Sequence, residues 1–181
     1  VCSSDLAFDD KRLKGKNPIT VRLDVDKKEV YKGEQVVASY YLYRQGRVSG
    51  IQVDKFPEFK GFLKEDLDLP FTGSRLEEEQ VIVNGIIYLR ALLAKYLISP
   101  IKEGRLTIDQ LGLRAQYFPT QGRGGSGFDD EDDPFGGAFN FFSQMQPRVV
   151  TSKSERLTLD VIPLPTQGRP SDFGGGVGKF T

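Results

Sequence analysis

Hydrophobic and polar residues alternate along several short segments of the chain, a pattern typical of β-strands with one solvated face. The segments that share this period are 19–25, 51–53, 106–117 and 156–162. Residues 36–43 differ, because β-branched and aromatic side chains occupy both of their faces. We therefore predict strands in all these segments and a central strand at 36–43.

Asn84-Gly85 lies between two β-branched runs. This dipeptide is typical of a type I′ hairpin, because both turn residues there have positive φ. The second arm continues from Ile86 to Ile98, and its part from Arg90 to Leu97 has good helix propensity, so a helix is an alternative there. We favour a strand, because the hairpin leads directly into it and Pro100 ends it.

Short strands joined by turns, without a convincing amphipathic helix, indicate an all-β protein. We expect an antiparallel β-sandwich with immunoglobulin-like topology. Residues 56–62 contain Pro and Gly between phenylalanines, and we expect them to form no regular element and to close one end of the core. Residues 119–147 contain six Gly, an acidic run and five Phe, so we predict a flexible Gly/Asp/Phe-rich insertion loop there.

The composition changes along the chain predict its division into domains. We place the sandwich domain at 17–165, a linker at 166–172, and the start of a second domain at 173–181. Residues 1–6 resemble the translated end of a sequencing adapter, and we exclude them from the fold.

The charge and residue content exclude several classes of function. Lys and Arg (25) balance Asp and Glu (25), which argues against nucleic-acid binding, because phosphates require a surplus of cations on one face. The chain has no His and one Cys, so imidazole-based triads, His-ligated metals and internal disulfides are excluded. We predict a non-enzymatic protein that uses no cofactor and no metal.

Four short motifs suggest chemistry, but their context favours simpler interpretations. Residues 122–127 match G-x-G-x-x-G without the strand and helix that a dinucleotide site needs. Residues 176–179 lack the spacing and the Ser/Thr of a P-loop. The run 129–133 lacks the alternating spacing of a calcium loop, so we interpret it as a solvated acidic run. We predict that 77–79, three glutamates, form a wet strand edge.

The phenylalanines of the insertion loop are the candidate site. Phe135, Phe139, Phe141 and Phe142 either fold back over the sandwich or form an exposed apolar patch. Exposed aromatic clusters tend to mark interfaces, so the second alternative predicts docking of a partner protein or a membrane surface.

A second function class is a carbohydrate-binding or adhesin-type sandwich. Tyr40, Tyr41 and Tyr43 would supply an aromatic platform for a sugar if one face of their strand were exposed. We expect these tyrosines to be buried or paired across strands instead.

Several short segments occur in a recognisable order. They are 21–26 (Val-Arg-Leu-Asp-Val-Asp), 30–35 (Val-Tyr-Lys-Gly-Glu-Gln), 56–62 (Phe-Pro-x-Phe-x-Gly-Phe), Asn84-Gly85 before a long strand, 96–104 (Tyr-Leu-Ile-Ser-Pro-x-x-x-Gly), 157–165 (Leu-x-Leu-x-Val-x-Pro-Leu-Pro) and 173–178 (Phe-Gly-Gly-Gly-Val-Gly). In this order they resemble the N-terminal immunoglobulin-like domain of the BatD family, the oxygen tolerance proteins of bacterial aerotolerance operons. The resemblance covers about 17–181, apart from the loop at 119–147.

This resemblance implies a periplasmic protein of the bacterial envelope, anchored to the inner membrane in its full-length form. The partners it implies are von Willebrand factor A domain proteins and a MoxR-type AAA+ ATPase, which act with BatD-like proteins in envelope stress and aerotolerance. The family has no known catalytic residues, so the resemblance assigns none to this chain.

Overall fold

The computed structural model describes residues 13, 17–70, 76–119 and 146–165, and the regular elements of this part are β-strands. The strands are β1 (Ile19–Val25), β2 (Glu29–Tyr31), β3 (Val36–Arg44), β4 (Arg47–Lys55), β5 (Phe62–Asp68), β6 (Glu78–Val83), β7 (Ile86–Pro100), β8 (Gly104–Ile108), β9 (Gly112–Phe118), β10 (Arg148–Lys153) and β11 (Leu157–Ile162). The expected all-β architecture is confirmed.

One layer is a five-stranded sheet built around β7. Its order is β1-β3-β7-β5, and β6 also pairs with β7. Because β7 has fifteen residues, its first half pairs with β6 and its second half with β5, while β3 lies along its other edge. The strand predicted for Arg90 to Leu97 is confirmed, and the helix alternative is excluded.

The facing layer consists of two three-stranded sheets, β10-β9-β4 and β2-β11-β8. The two sheets are connected twice, because β8 leads into β9 and β10 leads into β11 through short bends. The Ser154 N–H donates to the Leu111 carbonyl and so joins the two bends, and the buried Ser154 hydroxyl accepts the Leu111 N–H. All strand pairs are antiparallel except β2 and β11, which pair in parallel.

The core lies between the layers and confirms the alternation found in the sequence. Ile19, Val21 and Leu23 of β1 are buried, as predicted for their face. The largest fully buried side chains are Tyr40, Ile19, Leu42, Leu93, Ile98, Ile108, Leu111, Leu113, Leu159, Val21, Val30 and Val36. One apolar cluster includes residues of all three sheets, so the sandwich is a single packed unit.

Three strands have no counterpart in the sequence analysis: β2, β5 and β10. They are short or polar, and β5 exposes six of its seven residues. Residues 56–61 form no strand, as expected, but Phe62 begins β5, so the expectation for 56–62 is wrong at its last residue. Phe62 belongs to the core and Phe59 packs against it. Phe56 is exposed, so the expectation that it helps to close the core is wrong.

Most of the predicted domain boundaries lie outside the described residues. This holds for 1–6, for the linker at 166–172 and for the domain start at 173–181. The insertion loop is described only at its ends, where β9 stops at Phe118 and β10 starts at Arg148.

Candidate functional site

The phenylalanines that the sequence analysis singled out are not among the described residues. Phe135, Phe139, Phe141 and Phe142 lie outside this part of the chain, as do the motifs at 122–127, 129–133 and 176–179. Their predicted roles therefore stay predictions.

The glutamates at 77–79 lie at a sheet edge, as predicted. Glu78 and Glu79 belong to β6, which has β7 as its partner strand in the described structure. The Glu78 carboxylate accepts two bonds from the Arg44 guanidinium, at 2.5 and 2.6 Å, and Glu79 pairs with Arg90 at 2.6 Å. These ion pairs attach β6 to its neighbour β7 and, across β7, to β3.

The three tyrosines of β3 do not form an exposed platform. Tyr40 and Tyr43 are buried, and Tyr41 is half-buried with the Arg90 guanidinium 5.1 Å from its ring centre. The rings of Tyr40 and Tyr43 pack edge-on against tyrosines of β7. The expectation that these side chains are buried or paired across strands is confirmed.

The β6–β7 hairpin has the predicted turn. Asn84 has φ 53° and Gly85 has φ 77°, the left-handed conformation that a type I′ turn requires at both positions. On one face of the hairpin, Val83 and Tyr88 pack with Tyr43 and Leu13. The Tyr88 hydroxyl also donates to the Leu13 carbonyl at 2.5 Å. This face of the hairpin is therefore anchored to the sheet.

The other face of the hairpin is apolar and exposed. Ile82 and Ile87 lie directly opposite each other, with exposed fractions of 63% and 56%. By register they are on the core side of the sheet, but they lie beyond the last core pair, Leu42 and Ala91. Ile86, on the anchored face, is 39% exposed. We call Ile82, Ile86 and Ile87 the isoleucine tip.

The base of the hairpin is held in place by Arg44, the last residue of β3. Its guanidinium bonds Glu78 of β6 through two nitrogens and also donates to the Gly46 carbonyl in the β3–β4 turn. Paired bonds of this kind fix geometry as well as adding energy. The isoleucine tip is thus carried on a firmly positioned hairpin.

The sequence does not predict the isoleucine tip, because β-branched residues indicate a strand without indicating whether its side chains are exposed. The available signal was Ile on both sides of an Asn-Gly turn, because such turns lie at the protein surface. Only the length of β7 relative to β3 shows that the hairpin extends past its neighbour.

A polar cluster lies at the β8–β9 bend, around Asp109. Its carboxylate meets Lys55 Nζ at 2.7 Å and Arg156 Nε at 2.9 Å, while its carbonyl accepts the Tyr40 hydroxyl at 2.8 Å. The bonds from Lys55 and Arg156 hold the pKa of Asp109 well below its usual range. Burial raises the pKa of the Tyr40 phenol well above its usual range. Near neutral pH the Asp109 carboxylate is therefore charged and the Tyr40 phenol neutral, as suits a structural link between the layers.

Across the described ranges, no group of three or more His, Cys, Asp or Glu residues is placed to hold a metal ion. In the same ranges no helix is long and apolar enough to cross a membrane. Comparison with protein-family models, with curated proteins and with solved structures gives no match for this chain.

Proposed function

We propose that the chain is a non-enzymatic protein-interaction domain, and that the isoleucine tip is its docking surface. The observation that carries this proposal is the exposure of Ile82 and Ile87 on an anchored hairpin. Apolar side chains grouped on a rigid element lose contact with water when a partner covers them, and each buried Ile contributes about 2 kcal/mol.

The wider assignment in this proposal is a BatD-like envelope protein with an immunoglobulin-like domain. The strand order β1-β3-β7-β5 supports the topology, since it corresponds to the order A-B-E-D of constant-type domains. The order β10-β9-β4 likewise corresponds to G-F-C. The proposed site of action is the periplasm, with an inner-membrane anchor in the full-length protein.

The proposed partners are von Willebrand factor A domain proteins that act with a MoxR-type AAA+ ATPase. These partners follow from the resemblance to the BatD family, whereas the docking surface follows from the structure. The carbohydrate-binding alternative has less support, because Tyr40 and Tyr43 are buried and present no aromatic face to a sugar.

The test is a titration calorimetry experiment with a purified von Willebrand factor A protein of the kind that accompanies BatD-like proteins. The double variant Ile82→Glu/Ile87→Glu should weaken binding at least tenfold, because it replaces the apolar contact with two charges. Leu63→Glu is the matched control, since Leu63 is also exposed but lies on β5. Equal affinity of the double variant would refute the docking surface, and no binding by the unmodified chain would refute the partner class.

A further inference from the structure

The sheet β10-β9-β4 has a solvated outer face that is not part of the docking surface proposed at the isoleucine tip. Its register places Gln52, Arg114 and Thr151 side by side, one on each strand, and all three are exposed. The neighbouring inward positions, such as Leu113, belong to the core. We call the outward-pointing residues of these three strands the outer face.

The outer face carries more positive than negative charge. Arg47 of β4, Arg114 of β9 and Lys153 of β10 are all exposed. Within the part of the chain that the structure describes, none of them forms an ion pair. Asp54 of β4 places one carboxylate on this face, over Gly112 and next to the Lys153 side chain, so the three cations outnumber it. A face with unpaired cations attracts anionic groups from solution.

A shallow depression of about 290 Å³ lies in the middle of the outer face. Its lining residues are Gly50, Gln52, Arg114, Ala115, Gln116 and Val149. Gly50 sits in a β-bulge with φ +59°, and a side chain there would extend towards Gln116. The positive φ favours glycine at this position, and a side chain larger than a methyl group would narrow the depression.

The groups in the depression suit a carboxylate attached to an apolar neighbour. Arg114 Nη2 donates to Gln52 Oε1 at 3.3 Å, which orients the guanidinium and leaves its other N–H groups for a ligand. The side-chain amide of Gln116 adds a further donor. Val149 is exposed at the rim and provides apolar contact. Guanidinium groups bind carboxylates through paired, charge-assisted hydrogen bonds.

The three cations lie along a diagonal across the strands. Lys153 is opposite Gly112, two residues from Arg114 along β9, which places the Cα atoms of the two residues about 8 Å apart. Arg47 is opposite Phe118, four residues from Arg114 in the other direction, with its Cα about 14 Å from that of Arg114 and its guanidinium over the Phe118 ring. In an extended peptide, residues i and i+2 are about 7 Å apart and residues i+2 and i+6 about 14 Å apart.

We propose that the outer face binds an extended acidic peptide of a partner protein. Carboxylates at positions i, i+2 and i+6 of this peptide bind Lys153, Arg114 and Arg47, respectively. The central carboxylate enters the depression, and a neighbouring apolar side chain covers Val149. Three cations are too few for a nucleic-acid duplex, whose binding requires many phosphate contacts. Their spacing fits an extended polypeptide instead.

The experiment measures fluorescence anisotropy with a labelled nine-residue peptide that has Glu at positions one, three and seven. A peptide of the same composition with three adjacent Glu is the comparison ligand. We expect the spaced peptide to bind more tightly, and its affinity to fall as NaCl rises from about 50 mM to about 200 mM. Arg114→Gln should weaken binding about tenfold, and Arg114→Lys should restore only part of the loss.

Two control variants keep the result specific. Arg105→Gln removes an exposed cation of β8, outside the outer face, and should leave the affinity unchanged. Ile82→Glu/Ile87→Glu should also leave it unchanged, so a failure of the docking surface at the isoleucine tip would not affect this assay. All the substituted side chains are exposed or partly exposed, so we expect every variant to fold. Circular dichroism checks this for each one.

Several outcomes would overturn the proposal. One is equal affinity of Arg114→Gln and the unmodified chain, and another is equal affinity for the spaced and adjacent peptides. Binding that appears only after deletion of 122–145 would show that the acidic run of this chain occupies the face itself. Displacement of the peptide by anionic vesicles or RNA, added at the same concentration of negative charge as the peptide, would show that the face binds anions in general.

Discussion

Removing the charge of Asp109 should destabilise the sandwich at neutral pH. The Asp109 carboxylate joins Lys55 of β4 and Arg156 ahead of β11, at 2.7 and 2.9 Å, and it also accepts the backbone N–H of Gln110. In Asp109→Asn the amide oxygen retains the backbone bond, but both charge-assisted bonds are lost. Lys55 and Arg156 are partly solvated, so each pair contributes somewhat less than 1 kcal/mol and the loss should total about 1.5 kcal/mol.

The effect of this substitution should depend on pH, with a definite sign. The folded protein lowers the pKa of Asp109, so the stabilisation is present above the pKa of the unfolded chain, about 3.9. As the pH falls through that value, the unfolded state binds a proton that the folded state does not. The advantage of Asp109 over Asn then decreases as the pH falls below about 4, by up to about 1.4 kcal/mol per pH unit, until the folded state also binds the proton.

The assay is urea unfolding followed by far-UV circular dichroism, because the chain has no Trp. Asp160→Asn is the matched control: the pair between Asp160 and Arg105 is largely exposed, so its loss should cost less than about 0.5 kcal/mol. A double-mutant cycle with Lys55→Gln would isolate the pairwise contribution. The reasoning is refuted if Asp109→Asn equals the control at pH 7, or if its full effect persists at about pH 2.5.

Three further predictions concern the turn, a close backbone approach and a buried phenol. Asn84→Ala should lower the free energy of unfolding by about 1 kcal/mol in urea titrations, because Ala is strained at φ 53°, whereas an equal loss in Asn84→Gly would contradict this explanation. Gly112→Ala should lower the free energy of unfolding by about 1–3 kcal/mol in thermal unfolding, since the new Cβ would lie 2.7 Å from Asp54 Oδ1 and 3.1 Å from Lys55 Cβ. Adding Asp54→Ala to this variant should recover part of the lost stability. No recovery would show that the clash is not with Asp54. Burial raises the pKa of Tyr96 to about 12. The stability of the fold should therefore decrease as the pH rises above about 10, where the unfolded chain releases the phenol proton. Ionisation of every tyrosine near pH 10 in the folded protein, measured by ultraviolet absorbance, would contradict this prediction.

Local sequence signals were sufficient to identify the main strands and the hairpin. The period-2 pattern of β1 and the two-faced apolar pattern of β3 follow from where successive side chains point, which depends only on neighbouring residues. The Asn84-Gly85 turn is equally local, since positive φ at two successive residues limits the choice of side chain. These features were predictable because their physical causes act within a few residues.

The polar strands and the exposed surfaces were not predictable in this way. β5 and β10 are strands because β7 and β9 offer them an open edge, and their own sequences lack a clear apolar face. Ile82 and Tyr40 are both typical strand residues, yet one is exposed and the other fully buried. The difference depends on which side chains face them across the sandwich.

The sequence by itself thus determined that this chain forms β-strands and where the central ones lie. Only the tertiary structure decided which strands are neighbours and which apolar residues remain uncovered. It also brings Arg47, Arg114 and Lys153 onto one face, although they are far apart in the chain. The physical reason is that strand pairing and burial depend on contacts between distant segments, whereas side-chain alternation and turn geometry depend on adjacent residues.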